Sequence, residues 1–306
     1  MVDLTELRPP VEDGPWPPMT HLPPLRTSPL RGATTWTGLT YAQVPGFRPM
    51  VLDLHVPDAG GPAPVVMWVH GGGWAEGDRR LVPLQWGQQR LFQKLVDAGF
   101  AVATPDHRLI EEVAPDDMVR DLIAAVRYLR TYAADLGLDG DRLALWGDSA
   151  GAHLAALAGL AGSAEQPDPH LLGRIGVGRG RTDVSSIIWW YGAADLTVLP
   201  DLTESLWRGV DPDAREWLAM AYSPVTHVRA DSPPMLIMHG DSDTMSPLDQ
   251  AVRLHDAALA AGAWSRLVVV PDAEHVFLGT DIEAQWQVVI DFLGDTIGPR
   301  ARVGAD

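Results

Sequence analysis

Residues 143–159 read LALWGDSAGAHLAALAG, and the fold turns on how this stretch is read. Leu143 to Trp146 is a short apolar run of strand character, and the Ala- and Leu-rich run from Ala150 onward favours helix. Between them Gly147-Asp148-Ser149-Ala150-Gly151 matches G-x-S-x-G. A serine on a tight strand-to-helix turn has a strained backbone and close neighbours, so the flanking positions need residues without bulk, which Gly147 and Gly151 supply. The spacing predicts Ser149 presented at the C-terminal edge of a sheet as a nucleophile. A Gly-rich turn ahead of an ordinary sheet-packing helix gives the same pattern, but the strand before and the helix after favour the first reading.

Outward from this turn, short apolar runs alternate with longer helical ones. Val65 to Val69, Ala101 to Thr104, Ile187 to Tyr191, Met235 to Met238 and Leu267 to Val270 are continuous apolar runs, as strands buried on both faces require. Val51 to Val56 alternates apolar and polar, which predicts a strand at the sheet edge. Helices are expected near 88–98, 116–134, 150–161, 247–261 and 283–293; the second places Met118, Leu122, Ala125, Val126 and Leu129 on one face. Strand–helix alternation of this kind predicts the α/β class, with a mostly parallel central sheet covered by helices on both faces. Between Asp195 and Ser232 no strand pattern appears, and Trp207, Trp217, Met220 and Tyr222 mark a small cap-like insertion at about 196–231. Eight prolines between Pro9 and Pro29 prevent helix, so residues 1–35 read as an extended arm, 36–300 as the main domain and 301–306 as a tail. The arm's density of proline fits a strap, a loose tail or a flap beside the site equally well.

Acidic residues outnumber basic ones 40 to 23, a net charge of −17, which repels nucleic-acid phosphates and anionic membranes. The N-terminal stretch lacks the basic and apolar segments of a signal peptide, and no run reaches the roughly 18 apolar residues of a membrane span, so a cytoplasmic protein is expected. The chain has no cysteine, which excludes a thiol nucleophile, a thiolate metal site and a disulfide framework.

His70-Gly71-Gly72-Gly73-Trp74 follows the strand Val65 to Val69 directly. Consecutive glycines let backbone N–H groups face a substrate oxygen, and with the amide of Ala150 they would surround the charge that develops when a carbonyl is attacked. Two of the three glycines would supply these donors beside Ala150, and the spacing does not say which two. A phosphate cradle is disfavoured, since neither the Lys-Ser/Thr helix start nor G-x-G-x-x-G is present. Asp243 follows the strand Met235 to Met238, and His275 follows Leu267 to Val270. A hydroxyl becomes a nucleophile when a neutral imidazole takes its proton and a carboxylate fixes that imidazole's tautomer, so Ser149, Asp243 and His275 in this chain order form a candidate catalytic set. Asp241 reads instead as a brace of its turn, as do His70 and His239, while His153 reads as packed on its helix. Trp74, Trp207 and Trp217 are candidate apolar pocket walls.

The stretches VVMWVHGGGWAEGD, LWGDSAGAHLAAL, WWYGAADL, YSPVTHV, LIMHGDSDTMSP and the EH of His275 resemble the α/β-hydrolase branch of hormone-sensitive-lipase-like carboxylesterases, and more closely the feruloyl-esterase-like bacterial hydrolases. The resemblance covers roughly residues 50–295. It implies an α/β-hydrolase fold, Ser149 as nucleophile, His275 as base, Asp243 as its acid, the amides of Gly72, Gly73 and Ala150 as oxyanion donors with Gly71 as the alternative to Gly73, and an acyl-serine route for ester cleavage without metal or organic cofactor. The family does not fix the substrate; the expectation of small apolar or aromatic esters comes from the tryptophan walls. The resemblance also implies activity that falls as pH drops through the ordinary imidazole range, about 6 to 7. This chain departs from the family pattern at Ala152, where glycine is common, and at His107, where tyrosine is common. The expected partner is a small-molecule ester, with a homodimer left open. Lactone, amide or carbamate hydrolysis, acyl transfer to an alcohol or amine, and a non-catalytic ligand-binding role are the competing readings; an intact triad argues against the last.

Overall fold

A computed structural model describes residues 30–298 apart from 81, 88, 201 and 208, so residues 1–29 of the expected 1–35 arm and the 301–306 tail fall outside the described residues. The arm's end is corrected, because the first strand already begins at Ala33. Eight strands, β1 (Ala33–Ala42), β2 (Met50–Pro57), β3 (Ala63–Val69), β4 (Ala101–Pro105), β5 (Leu138–Asp148), β6 (Ser186–Trp190), β7 (Met235–Gly240) and β8 (Ser265–Val270), form one sheet in the order β1-β2-β4-β3-β5-β6-β7-β8. The β1–β2 and β2–β4 pairs are antiparallel and every later pair is parallel.

Successive strand residues point to opposite faces, and this sorts the apolar side chains into two cores. Val65, Met67, Leu145, Trp189 and Ile237 join α2 (Pro115–Thr131), α3 (Ala150–Gly162), the short α4 (Pro169–Leu172) and α6 (Asp249–Ala261) on one face. Val66, Trp68, Trp146, Ile188, Trp190 and Met238 join α1 (Arg90–Asp97) and α7 (Ile282–Ile297) on the other. Helix α2 starts on Pro115 with Asp116 and Asp117 in its first turn and Arg130 in its last, matching the signs of the helix dipole. Helix α3 is buried along all thirteen residues, and its Ala and Gly content lets it lie close against β5 and β6. Asp121 of α2, fully shielded, pairs with Arg108 through two charge-assisted contacts of 2.8 and 3.0 Å and also accepts the Arg108 backbone N–H at 2.9 Å.

Two further sequence expectations are corrected. Val51 to Val56 is not the sheet edge, because β1 pairs outside it. The alternation there has another cause: Asp53 accepts Arg79 Nε at 2.9 Å and Gly38 N at 2.8 Å, so its polarity serves an ion pair. Leu267 to Val270 is not buried throughout, because β8 is the opposite edge and Val269 is exposed. Between Asp195 and Ser232 the chain forms helical turns at Leu196–Val198, Glu204–Trp207 and Pro224–His227 around a helix α5 (Pro212–Ala221), with no strand among the described residues. No described helix is long and apolar enough to cross a membrane.

Candidate active site

Strands β5, β7 and β8 run parallel, so the loops that leave their C-terminal ends gather at one edge of the sheet. Ser149 leaves β5 with φ 51° and ψ −122°, a conformation outside the ordinary wells, and starts α3 in the next residue. The strain is held by close packing of glycines: a Cβ on Gly147 would lie 2.2 Å from Gly151 O, and one on Gly151 would lie 2.2 Å from Val69 O. The Ser149 N–H is anchored to Trp190 O at 2.9 Å.

Ser149 Oγ lies 3.0 Å from His275 Nε2, in position to donate its proton. His275 Nδ1 lies 2.7 Å from Asp243 Oδ2, which fixes the tautomer with Nε2 free to accept. The Asp243 side chain is shielded from solvent, which alone would raise its pKa. Hydrogen bonds from His239, His275 and the Ser246 N–H outweigh that burial and hold the carboxyl below the usual carboxylate range. Glu274 ties the two loops together, accepting the Thr244 N–H at 3.1 Å and the His275 N–H at 3.2 Å. Behind the imidazole, Tyr191 meets it edge-on at 4.9 Å and is met in turn by Phe277 at 4.8 Å.

The glycine loop passes beside the serine. Gly72, Gly73 and Trp74 all have positive φ, of 113°, 58° and 62°, and a Cβ on Gly72 would overlap Glu76 O at 2.3 Å. Gly71 is different, because its N–H already donates to Asp148 Oδ1 at 2.7 Å. Among the described residues, the amides of Gly72, Gly73 and Ala150 make no hydrogen bond. Burial pushes the Asp148 carboxyl up to about 7 against the opposing pull of the Gly71 N–H.

Other residues singled out in the sequence are placed as follows. Asp241 braces its turn, accepting Asp272 N at 2.7 Å, and His239 Nε2 donates to Ser246 O at 2.9 Å. His70 stacks on His107 at 4.3 Å, so the departure at 107 supports the loop from below. Burial, with His107 beside it, pushes the His70 imidazole down to about 3. Trp74 and Trp207 are buried, whereas Trp217 is 66% exposed. Trp217 lines a cavity of about 280 Å³ with Met220, Tyr222 and His227. Sequence reasoning missed the Glu274 clasp, the Asp148–Gly71 bond and both hydrogen bonds of His153. Only the neighbouring motifs hinted at them, since each partner is distant along the chain.

The strand order, the strained serine turn and the serine–histidine–aspartate line at one sheet edge define an α/β-hydrolase fold. A family profile described as BD-FAE matches residues 52–258, and the chain belongs to that family. Esterase LipQ of Mycobacterium tuberculosis (strain ATCC 25618 / H37Rv) is 31% identical over 281 residues, covering 85% of this chain and 63% of that protein. Probable carboxylic ester hydrolase LipM of the same organism is 30% identical over 203 residues, covering 63% of this chain and 44% of its own length. The chain thus spans less than two thirds of either relative. Among solved structures, the truncated form of a carbohydrate esterase from gut microbiota superposes with a TM-score of 0.75 at 25% identity, covering 88% of this chain and 98% of that one.

Proposed function

We propose that this protein is a serine-dependent carboxylic ester hydrolase acting on small, apolar or aromatic esters. The observation that carries the reading is the unbroken hydrogen-bonded line from Ser149 Oγ through His275 to Asp243. The relatives named as an esterase and a carboxylic ester hydrolase support it.

In the proposed reaction His275 Nε2 takes the Ser149 proton as Oγ attacks the ester carbonyl. The charge that develops on the carbonyl oxygen is received by the amides of Gly72, Gly73 and Ala150; Gly71 is disfavoured as a donor because Asp148 already holds its N–H. The imidazolium is stabilised by Asp243, whose low pKa keeps it ionised, and returns its proton to the leaving alcohol, giving an acyl-serine. Water attacks the acyl carbon with His275 again as base, and the acid and free serine are released. Trp74 and Trp207 are proposed as apolar walls around the site, and Trp217 as an outer contact.

The test is turnover of a p-nitrophenyl ester series from acetate to laurate by wild type and Ser149→Ala, with circular dichroism checking the fold. Wild-type turnover lost in the variant supports the reading. Folded wild type as inert as the variant would remove it, and lactone, amide and carbamate substrates would then be compared.

A further inference from the structure

His153 stands one turn along α3 from Ser149, buried, with its ring edge-on to Trp74 at 5.6 Å. Trp74 Nε1 donates to His153 Nδ1 at 3.0 Å, and His153 Nε2 lies 2.8 Å from the Tyr222 carbonyl oxygen. An indole nitrogen can only donate and a carbonyl can only accept, so a single neutral tautomer satisfies both contacts: Nδ1 bare, Nε2 protonated. Burial, the dominant cause, drives the His153 pKa down to about 4, which keeps that tautomer through the neutral range.

The two partners lie on different parts of the site. Trp74 continues the glycine loop directly after Gly73 and has a left-handed backbone, φ 62°, that a bulky residue adopts only when its surroundings hold it. Tyr222 caps the end of α5 in the segment between Asp195 and Ser232. One imidazole on the helix that begins at Ser149 therefore touches both the loop carrying the proposed oxyanion amides and the segment proposed to wall the pocket.

We propose that His153 is a positioning residue, which holds the glycine loop in register with the nucleophile helix and couples both to the segment around Tyr222. The inference rests on the esterase reading, because its effect is on placement of the Gly72 and Gly73 amides during ester attack. Removing an oxyanion donor typically lowers kcat about a hundredfold to a thousandfold, and a loop that is loosened but not lost should lower it by less. His153 touches no reacting atom, so substrate affinity should change little.

The test uses the full chain with His153→Leu, which has neither donor nor acceptor, His153→Gln, whose amide offers both, Trp74→Phe, which removes the indole donor together with part of the ring, and the Leu/Phe double variant. Kinetics with a p-nitrophenyl ester are read at neutral pH, with circular dichroism and melting curves alongside. The expected result is kcat lowered about tenfold to a hundredfold in His153→Leu and Trp74→Phe, with KM within about threefold in His153→Leu; Trp74→Phe also trims a proposed pocket wall, so its KM is free to rise. The double variant should be no worse than the poorer single one, and His153→Gln should recover most of kcat. If His153→Leu fails to fold, Trp74→Phe and His153→Gln carry the comparison. A His153→Leu or Trp74→Phe kcat within twofold of wild type, additive effects in the double variant, or His153→Gln as impaired as His153→Leu would overturn the inference while leaving the esterase reading intact. Wild type inert toward every ester would remove the esterase reading and this inference with it.

Discussion

Gly151→Ala tests the idea that the serine turn is held by backbone packing. The added methyl would lie 2.2 Å from Val69 O, 2.4 Å from His70 O and 2.7 Å from His70 C, all backbone atoms of β3 and the loop after it. No side chain can rotate away, so α3 and β3 must separate by about 1 Å to restore van der Waals contact. That displacement falls directly on Ser149, whose Oγ is 3.0 Å from His275 Nε2, and on the Ala150 amide. A misplacement of this size costs about a hundredfold in rate, and overpacking costs about 1–3 kcal/mol in stability. Gly159→Ala is the control on the same helix, since its methyl would press the mobile end of Ile187 at 2.8 Å, ten residues from the serine. Both variants would be compared with wild type by steady-state turnover of a p-nitrophenyl ester and by urea denaturation. Gly151→Ala should lose about two orders of magnitude in kcat, whereas Gly159→Ala should lose some stability and keep its rate. A folded Gly151→Ala with kcat within about threefold of wild type would show that backbone packing at Gly151 does not hold the serine turn.

Three further outcomes are expected. Glu274→Ala removes the clasp between the Thr244 and His275 backbones and should lower kcat about tenfold with KM little changed, read from steady-state kinetics; an unchanged kcat would show that the clasp does not position the base. Asp121→Ala leaves the shielded Arg108 guanidinium without its main partner, Asp117 standing farther off at 3.5 Å, and should lower the unfolding free energy by about 3 kcal/mol in urea; a loss below about 1 kcal/mol would contradict this. For His153 the folded pKa, about 4, lies below the ordinary imidazole value of 6.5, mainly through burial and secondarily through His227. Between those values the unfolded chain binds the proton first, so stability falls as pH falls. His153→Gln lacks that group, and wild-type stability relative to it should drop by about 1.4 kcal/mol per pH unit between roughly pH 6 and 4.5, with no difference in slope above about pH 7.5. Parallel pH curves for the two proteins across that window would contradict the buried neutral imidazole.

The rhythm of the sheet was legible because parallel strands covered on both faces must be apolar throughout, as in Val65 to Val69 and Leu143 to Trp146. That rule fails at edges. β1 reads ATTWTGLTYA and is largely exposed, so no apolar run announces it, and the alternating run Val51 to Val56 reads as the edge instead. β8 is apolar yet exposes Val269, because a run of valines looks alike whether one face or both are covered. Ser149, Asp243 and His275 could be picked out because each stands just past a strand end, and the folded chain sets His275 3.0 Å from Ser149 and 2.7 Å from Asp243. The supporting contacts were not legible. Asp148 to Gly71, His153 to Trp74 and Glu274 to Thr244 join segments 30 to 79 residues apart, and no local spacing encodes such a pairing.

Covalent capture decides whether Ser149 is a nucleophile activated by His275 and Asp243. Wild type and Ser149→Ala would be treated with a p-nitrophenyl alkylphosphonate, and the intact masses and labelled peptides measured. A single adduct is expected on the peptide containing Ser149, formed slowly in Asp243→Asn and absent in Ser149→Ala. A folded wild type that takes up no phosphonate, or a label that maps to another residue and persists in Ser149→Ala, would contradict it.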